Sequence, residues 1–113
     1  MLGATQIKMM AGGGVSSTYD PVDVTQYTEA ELRAGVEAAE NWGTYVLVHA
    51  FTPRAVQQAL RAGVRSIEHG FLLDDATAAM IAERDAWWIC SRCSTTKTRS
   101  NSPSRRSEPS YAK

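Results

Sequence analysis

Only two cysteines occur in the 113-residue chain, Cys90 and Cys93. Lying three positions apart, they make no disulfide framework and do not suggest secretion. No apolar run approaches the roughly 20 residues that a membrane span needs. The opening stretch MLGATQIKMMAGGG also lacks the basic segment and long apolar core of a secretory signal. The cytoplasm is therefore the expected compartment, with no membrane partner. Net charge is absent as well, 12 Lys and Arg balancing 12 Asp and Glu. The balance is uneven, because residues 1–93 carry 7 basic against 11 acidic side chains and residues 94–113 carry 5 against 1. A mildly acidic body gives no footing for nucleic acid. Nucleotide fingerprints are missing too: in AGGGVSST the pattern G-x-G-x-x-G fails at Ser17, and no G-K-[ST] follows.

What is present is a 43% hydrophobic chain, enough for one small domain. Its centre carries one pattern twice. Gly43-Thr-Tyr-Val-Leu-Val-His49 is followed twenty residues later by Gly63-Val-Arg-Ser-Ile-Glu-His69. Each copy reads as a glycine that ends a helix, a strand, and a histidine at the strand's carboxyl end. Strand–helix–strand connections of this length are right-handed parallel crossovers, which predicts adjacent strands with the two histidines level. Neighbouring strands lie about 4.8 Å apart, so His49 and His69 are expected within reach of one metal ion. Neutral imidazole is a good ligand for zinc and similar cations.

The flanking sequence extends this alternation. Ala4 to Met10 is an apolar run that suits a buried strand, with Lys8 near its carboxyl end. A charged lysine there is costly unless it is neutralised or bound; on an edge strand it would snorkel to water. A long Gly-, Ser- and Asp-rich loop from Ala11 to Thr28 follows, and its Ser16, Asp20 and Asp23 are candidates for substrate contact or for solvation alone. Thr28 and Glu31 form a capping box, and Leu32, Val36 and Ala39 mark the apolar stripe of a helix that should stop at Gly43. Thr52-Pro53 starts a second helix with Val56 and Leu60 inward, and a third begins at Asp74 or Asp75 with Met80 and Ile81 inward. Trp87 to Cys90 is the last apolar piece.

The order is β-α-β-α-β-α-β, with strands expected near 4–10, 44–50, 65–70 and 86–91. That is an α/β class with a parallel sheet, at most half of a (β/α)₈ barrel. Residues 1–90 are expected to form this partial barrel domain. Residues 91–113 have no periodicity and are expected to be a disordered tail, its composition that of a shifted reading frame in GC-rich DNA. Glu68 should point away from His69 and pair with a helix. Trp87 and Trp88 are read as core and rim packing. Cys90-Ser-Arg-Cys93 echoes a redox motif but lacks the helix start such motifs occupy.

The segments QIKMMAGGGVSSTYDP, YVLVHAFTP, AGVRSIEHG and LLDDATAAMIAERDAWW together resemble the amidohydrolase superfamily, in particular its imidazolonepropionase-like and prolidase-like metal-dependent members. The resemblance runs over roughly residues 3–89, corresponding to about strands four to seven of a barrel. It implies that Lys8 is carboxylated and bridges two divalent metals, usually zinc, and that His49 and His69 ligate the second metal. It also implies hydrolysis of amide or peptide C–N bonds by a metal-activated hydroxide, with a small-molecule or dipeptide substrate. Two of the family's features are absent here: the H-x-H pair of the first strand, and the aspartate of the eighth strand that shuttles the proton. Phe51 stands where the family often has an aromatic hydroxyl. No catalytic acid or base is therefore assigned, and the alternative expectation is an inactive half-barrel that associates with a second copy of itself.

Overall fold

The computed structural model describes residues 3–15 and 18–90. Among the described residues, four strands and three helices alternate. They are β1 (Ile7–Met10), α1 (Glu29–Asn41), β2 (Val46–Ala50), α2 (Pro53–Ala62), β3 (Ser66–His69), α3 (Asp75–Glu83) and β4 (Trp87–Ile89). The strands pair in parallel in the order β1-β2-β3-β4, so every helix is a crossover between neighbours. The expected tail, Ser16 and Cys93 lie outside the described residues. Among the described residues, no helix is long and apolar enough to cross a membrane.

Each helix begins where its cap dictates. Thr28 accepts a hydrogen bond from the Glu31 N–H, Thr52 from Ala55 with Pro53 at the first helical position, and Asp74 from Thr77. These caps satisfy N–H groups that the helices themselves leave unpaired. α1 stops one residue before the expected glycine, with Trp42 as its C-cap, and α2 stops at Gly63. The salt bridge from Glu29 to Arg61 ties α1 to the end of α2, and a second, to Arg33, lies within α1.

Strand alternation divides the sheet into two faces. Val46, Val48, Ala50 and Ile67 are completely or almost completely buried and pack with Leu32, Val36, Ala39, Val56, Leu60 and Ile81 of the helices. Ile7 and Met9 of β1 join this core from its edge. The opposite face carries Lys8, Leu47, His49, Ser66 and Glu68, and among the described residues no helix packs them into a core. Only Leu47, His49 and Ser66 in its middle are buried.

That one-sided packing corrects two expectations. β1 is an edge strand with alternating exposure, not a buried strand, and the Lys8 side chain is 51% exposed. β4 is exposed throughout, so Trp87 at 72% and Trp88 at 43% exposure are not core residues. In both cases the apolar stretch forms a strand, and among the described residues no second layer buries it.

Candidate metal centre

His49 sits at the centre of the sheet, on β2, 9% exposed. Its ring Nε2 lies 2.9 Å from the carbonyl oxygen of Gly13. A carbonyl has no proton to give, so Nε2 must carry the hydrogen and donate it. With that hydrogen on Nε2, an uncharged ring has its lone pair on Nδ1, the atom left to bind a cation.

His69 reaches the same place by a different route from the one expected. The register sets His49 beside Glu68 and Ala50 beside His69, so the two histidines are not level. Plain alternation would send the His69 side chain to the helix-packed face. Its backbone instead adopts a left-handed conformation, φ 77°, which ends β3 and turns the side chain back. The two imidazole centroids come within 4.7 Å at an interplanar angle of 73°. A divalent cation bonds each imidazole nitrogen at about 2.0–2.1 Å, so one ion can span such a pair.

The turn at His69 is held from outside. The Trp88 indole N–H donates to the His69 carbonyl at 3.0 Å, and the Cys90 thiol approaches the same oxygen at 3.3 Å. Gly70 follows with φ 60°, and its N–H donates to the Ala50 carbonyl at 2.9 Å. Phe51 and Phe71 complete the surroundings. Phe51 meets His49 edge-on at 4.9 Å and stacks on His69 at 5.2 Å, while Phe71 lies 6.0 Å from His69. Phe51 therefore orients both rings by packing, a role its position after V-H-A did not reveal.

Burial, with the positive charge of His49 next and that of Lys8 weakest, holds the His69 imidazole below its ordinary value, while Glu68 pulls in the opposite direction. The net effect keeps His69 neutral near pH 7, the protonation state a metal ligand needs.

Lys8 is engaged by a carboxylate. Its Nζ lies 2.6 Å from Glu68 Oε2, so the ion pair expected between Glu68 and a helix is formed across the open face with β1 instead. The reason is register: Lys8 and Glu68 share a face with His49. Of the loop candidates, Asp20 accepts a hydrogen bond from the Gln26 side chain at 2.7 Å, and Asp23 is exposed. Among the described residues, no group of three or more His, Cys, Asp or Glu gathers to hold a metal. Two imidazole donors are compatible with part of a divalent-ion site, short of the three or four protein ligands such sites usually have. Lys8, bonded to Glu68, adds no donor to the pair.

Comparison with known proteins matches the chain to a family. The amidohydrolase family model aligns with residues 2–99. Ochratoxinase of Aspergillus niger is 31% identical over 90 residues, which is 80% of this chain and 19% of that protein. A prolidase solved in complex with N-methylphosphonate-L-proline is 53% identical with a TM-score of 0.77, covering 79% of this chain and 22% of that one. A Xaa-Pro dipeptidase with bound methionine in the active site is 36% identical with a TM-score of 0.72, over 77% of this chain and 21% of that one. The chain thus spans about a fifth of the length of the curated relatives it matches. Its parallel βα units correspond to a portion of the TIM barrel of such enzymes. By sequence and by fold, the chain belongs to the amidohydrolase family.

Proposed function

We propose that this chain supplies part of the metal centre of a hydrolase that cleaves amide or peptide C–N bonds, with dipeptides as the substrate class. The observation that carries the reading is the pair of imidazoles with centroids 4.7 Å apart, one of them hydrogen-bonded through Nε2 to the Gly13 carbonyl, which leaves its Nδ1 for a cation. Support for the reaction comes from the family, and support for a dipeptide comes from the prolidase and the Xaa-Pro dipeptidase among its structural relatives. His49 and His69 would hold a divalent cation, most suitably zinc given two nitrogen donors. Such a cation supplies Lewis acidity toward water and the scissile carbonyl. Lys8 would add an oxygen donor only after leaving Glu68 and taking up CO₂ as a carbamate. Phe51 packs edge-on against His49 and stacks on His69, which holds the two rings in place. Asp23, exposed in the loop after β1, is the side chain free to meet substrate, with Ser16 and Asp20 as its companions in that loop.

Metal content tests this directly. Purified protein dialysed against trace zinc should retain the metal near stoichiometry, and His49→Ala/His69→Ala should abolish retention. Metal that persists in the double variant, or that is never retained, overturns the assignment.

A second reading rests on β4, whose Trp87, Trp88 and Ile89 are 72%, 43% and 50% exposed. An apolar edge of this kind invites pairing with another copy, giving a self-associating half-barrel without catalysis. Light scattering on an eluting size-exclusion peak distinguishes the two, because a stable monomer refutes association.

A further inference from the structure

Three consecutive residues of the loop after β1 converge on His49. The N–H groups of Ala11 and Gly12 donate to the His49 carbonyl at 3.0 and 3.2 Å, and the Gly13 carbonyl accepts from the ring Nε2. Backbone and side chain of one histidine are thus gripped by the same short stretch. Gly13 is itself fixed from behind. Its N–H donates to the Val24 carbonyl at 3.2 Å, Gly14 donates to the Asp20 carbonyl at 3.1 Å, and Val24 donates to the Pro21 carbonyl at 3.2 Å. The Gln26 side chain closes the ring by donating to the Asp20 carboxylate. Gly13 is buried, and a β-carbon built on it would overlap the Pro21 carbonyl. No residue with a side chain fits there without moving the loop.

We propose that Gly13 is a positioning residue for His49: its close packing on Pro21 aims its carbonyl at Nε2, holds the proton on that nitrogen, and leaves Nδ1 as the lone-pair atom. Asp20 acts in the same device by closing the loop, so its carboxylate serves the histidine at one remove. The consequence for metal binding rests on the function proposed above. The tautomer itself does not, and it can be measured without metal.

Only two histidines are present, so the ring nitrogens can be assigned in ¹⁵N-labelled metal-free protein by loss of one set of signals in His49→Gln. The expected result in the unsubstituted chain, at a pH where imidazole is neutral, is a single Nε2–H tautomer with a slowly exchanging ring proton. Gly13→Ala should lose that slow exchange and shift the nitrogens toward a tautomer mixture, while far-ultraviolet circular dichroism reports that the helices persist. Should Gly13→Ala fail to fold, Asp20→Ala loosens the loop without adding volume and should accelerate ring-proton exchange in the same sense. A fast-exchanging or Nδ1–H ring in the unsubstituted chain overturns the proposal, and so does an unchanged ring signal in a folded Gly13→Ala or Asp20→Ala protein. Zinc retention measured alongside separates the two ideas. A correct tautomer without zinc binding defeats the metal assignment alone, whereas zinc binding with the wrong tautomer defeats the role of Gly13 alone.

Discussion

Replacing Gly70 with alanine should cost more than its single methyl group suggests. Gly70 holds φ 60°, a left-handed conformation that costs an L-residue roughly 1–2 kcal/mol. The new β-carbon would also lie 2.6 Å from Trp88 Nε1 and 3.2 Å from Leu73 Cδ1, inside contact distance. The indole must shift, and with it goes the hydrogen bond from Nε1 to the His69 carbonyl, worth about 0.5–1.5 kcal/mol. Together these give about 2–3 kcal/mol, above the ordinary cost of about 1 kcal/mol for a substitution. With a urea dependence near 1.5 kcal/mol per molar, the unfolding midpoint should fall by about 1–2 M. Trp88→Phe removes the donor and the nearest clashing atom, and should cost only the hydrogen-bond share. In that background Gly70→Ala should then cost about 1–2 kcal/mol, leaving a coupling of about 1 kcal/mol between the two sites. Urea titrations of the four proteins in the cycle, followed by circular dichroism, measure this. A Gly70→Ala cost below about 0.5 kcal/mol, or full additivity with Trp88→Phe, would refute the argument that the indole and the turn at His69 support each other.

Other substitutions are ranked by the same reasoning. Leu60, 1% exposed between helix and sheet, should lose about 2–5 kcal/mol on replacement by alanine, read from the same titration. Glu68→Gln breaks the ion pair with Lys8, but the partners' side chains are 26% and 51% exposed, so the cost should stay below about 1 kcal/mol and shrink with added salt. Stability should also fall as pH drops below 6.5, the ordinary value for histidine. His69 is depressed in the fold, so the unfolded chain takes up the proton first; the loss begins near 6.5 and ends once the folded-state value is passed. His69→Gln should flatten urea midpoints across that window, and an equal slope in the variant would remove His69 as the cause. At lower pH, Asp74, held below its ordinary 3.8 mainly by hydrogen bonds from Thr77, adds a second loss as it is protonated.

The strands and helices were legible because their signals are local. Apolar runs, threonine and aspartate caps and the repeated glycines each act within a few residues, and all four strands fall inside the expected ranges. His49 and His69 were legible as a pair for a reason that proved incomplete. The repeat spacing put them on neighbouring strands, but the register left them one residue out of step, and a left-handed φ at His69 restored the encounter. Nothing in the residues around His69 marks that conformation, since histidine takes it only when the surroundings hold it there. The partner of Glu68 was missed because alternation tells which face a residue occupies and not whether a helix covers that face. The grip of Gly13 on His49 was hidden for a third reason: the donor and the acceptor are 36 residues apart, and the acceptor is main chain.

The two histidine strands are joined by α2 alone, and this bears on synthesis. Residues 46–69 contain both rings, the crossover between them and the pairing that fixes their register. A chain made from its amino end therefore has every residue of this unit before Trp88 is added, and the indole that supports the turn at His69 is supplied only afterwards.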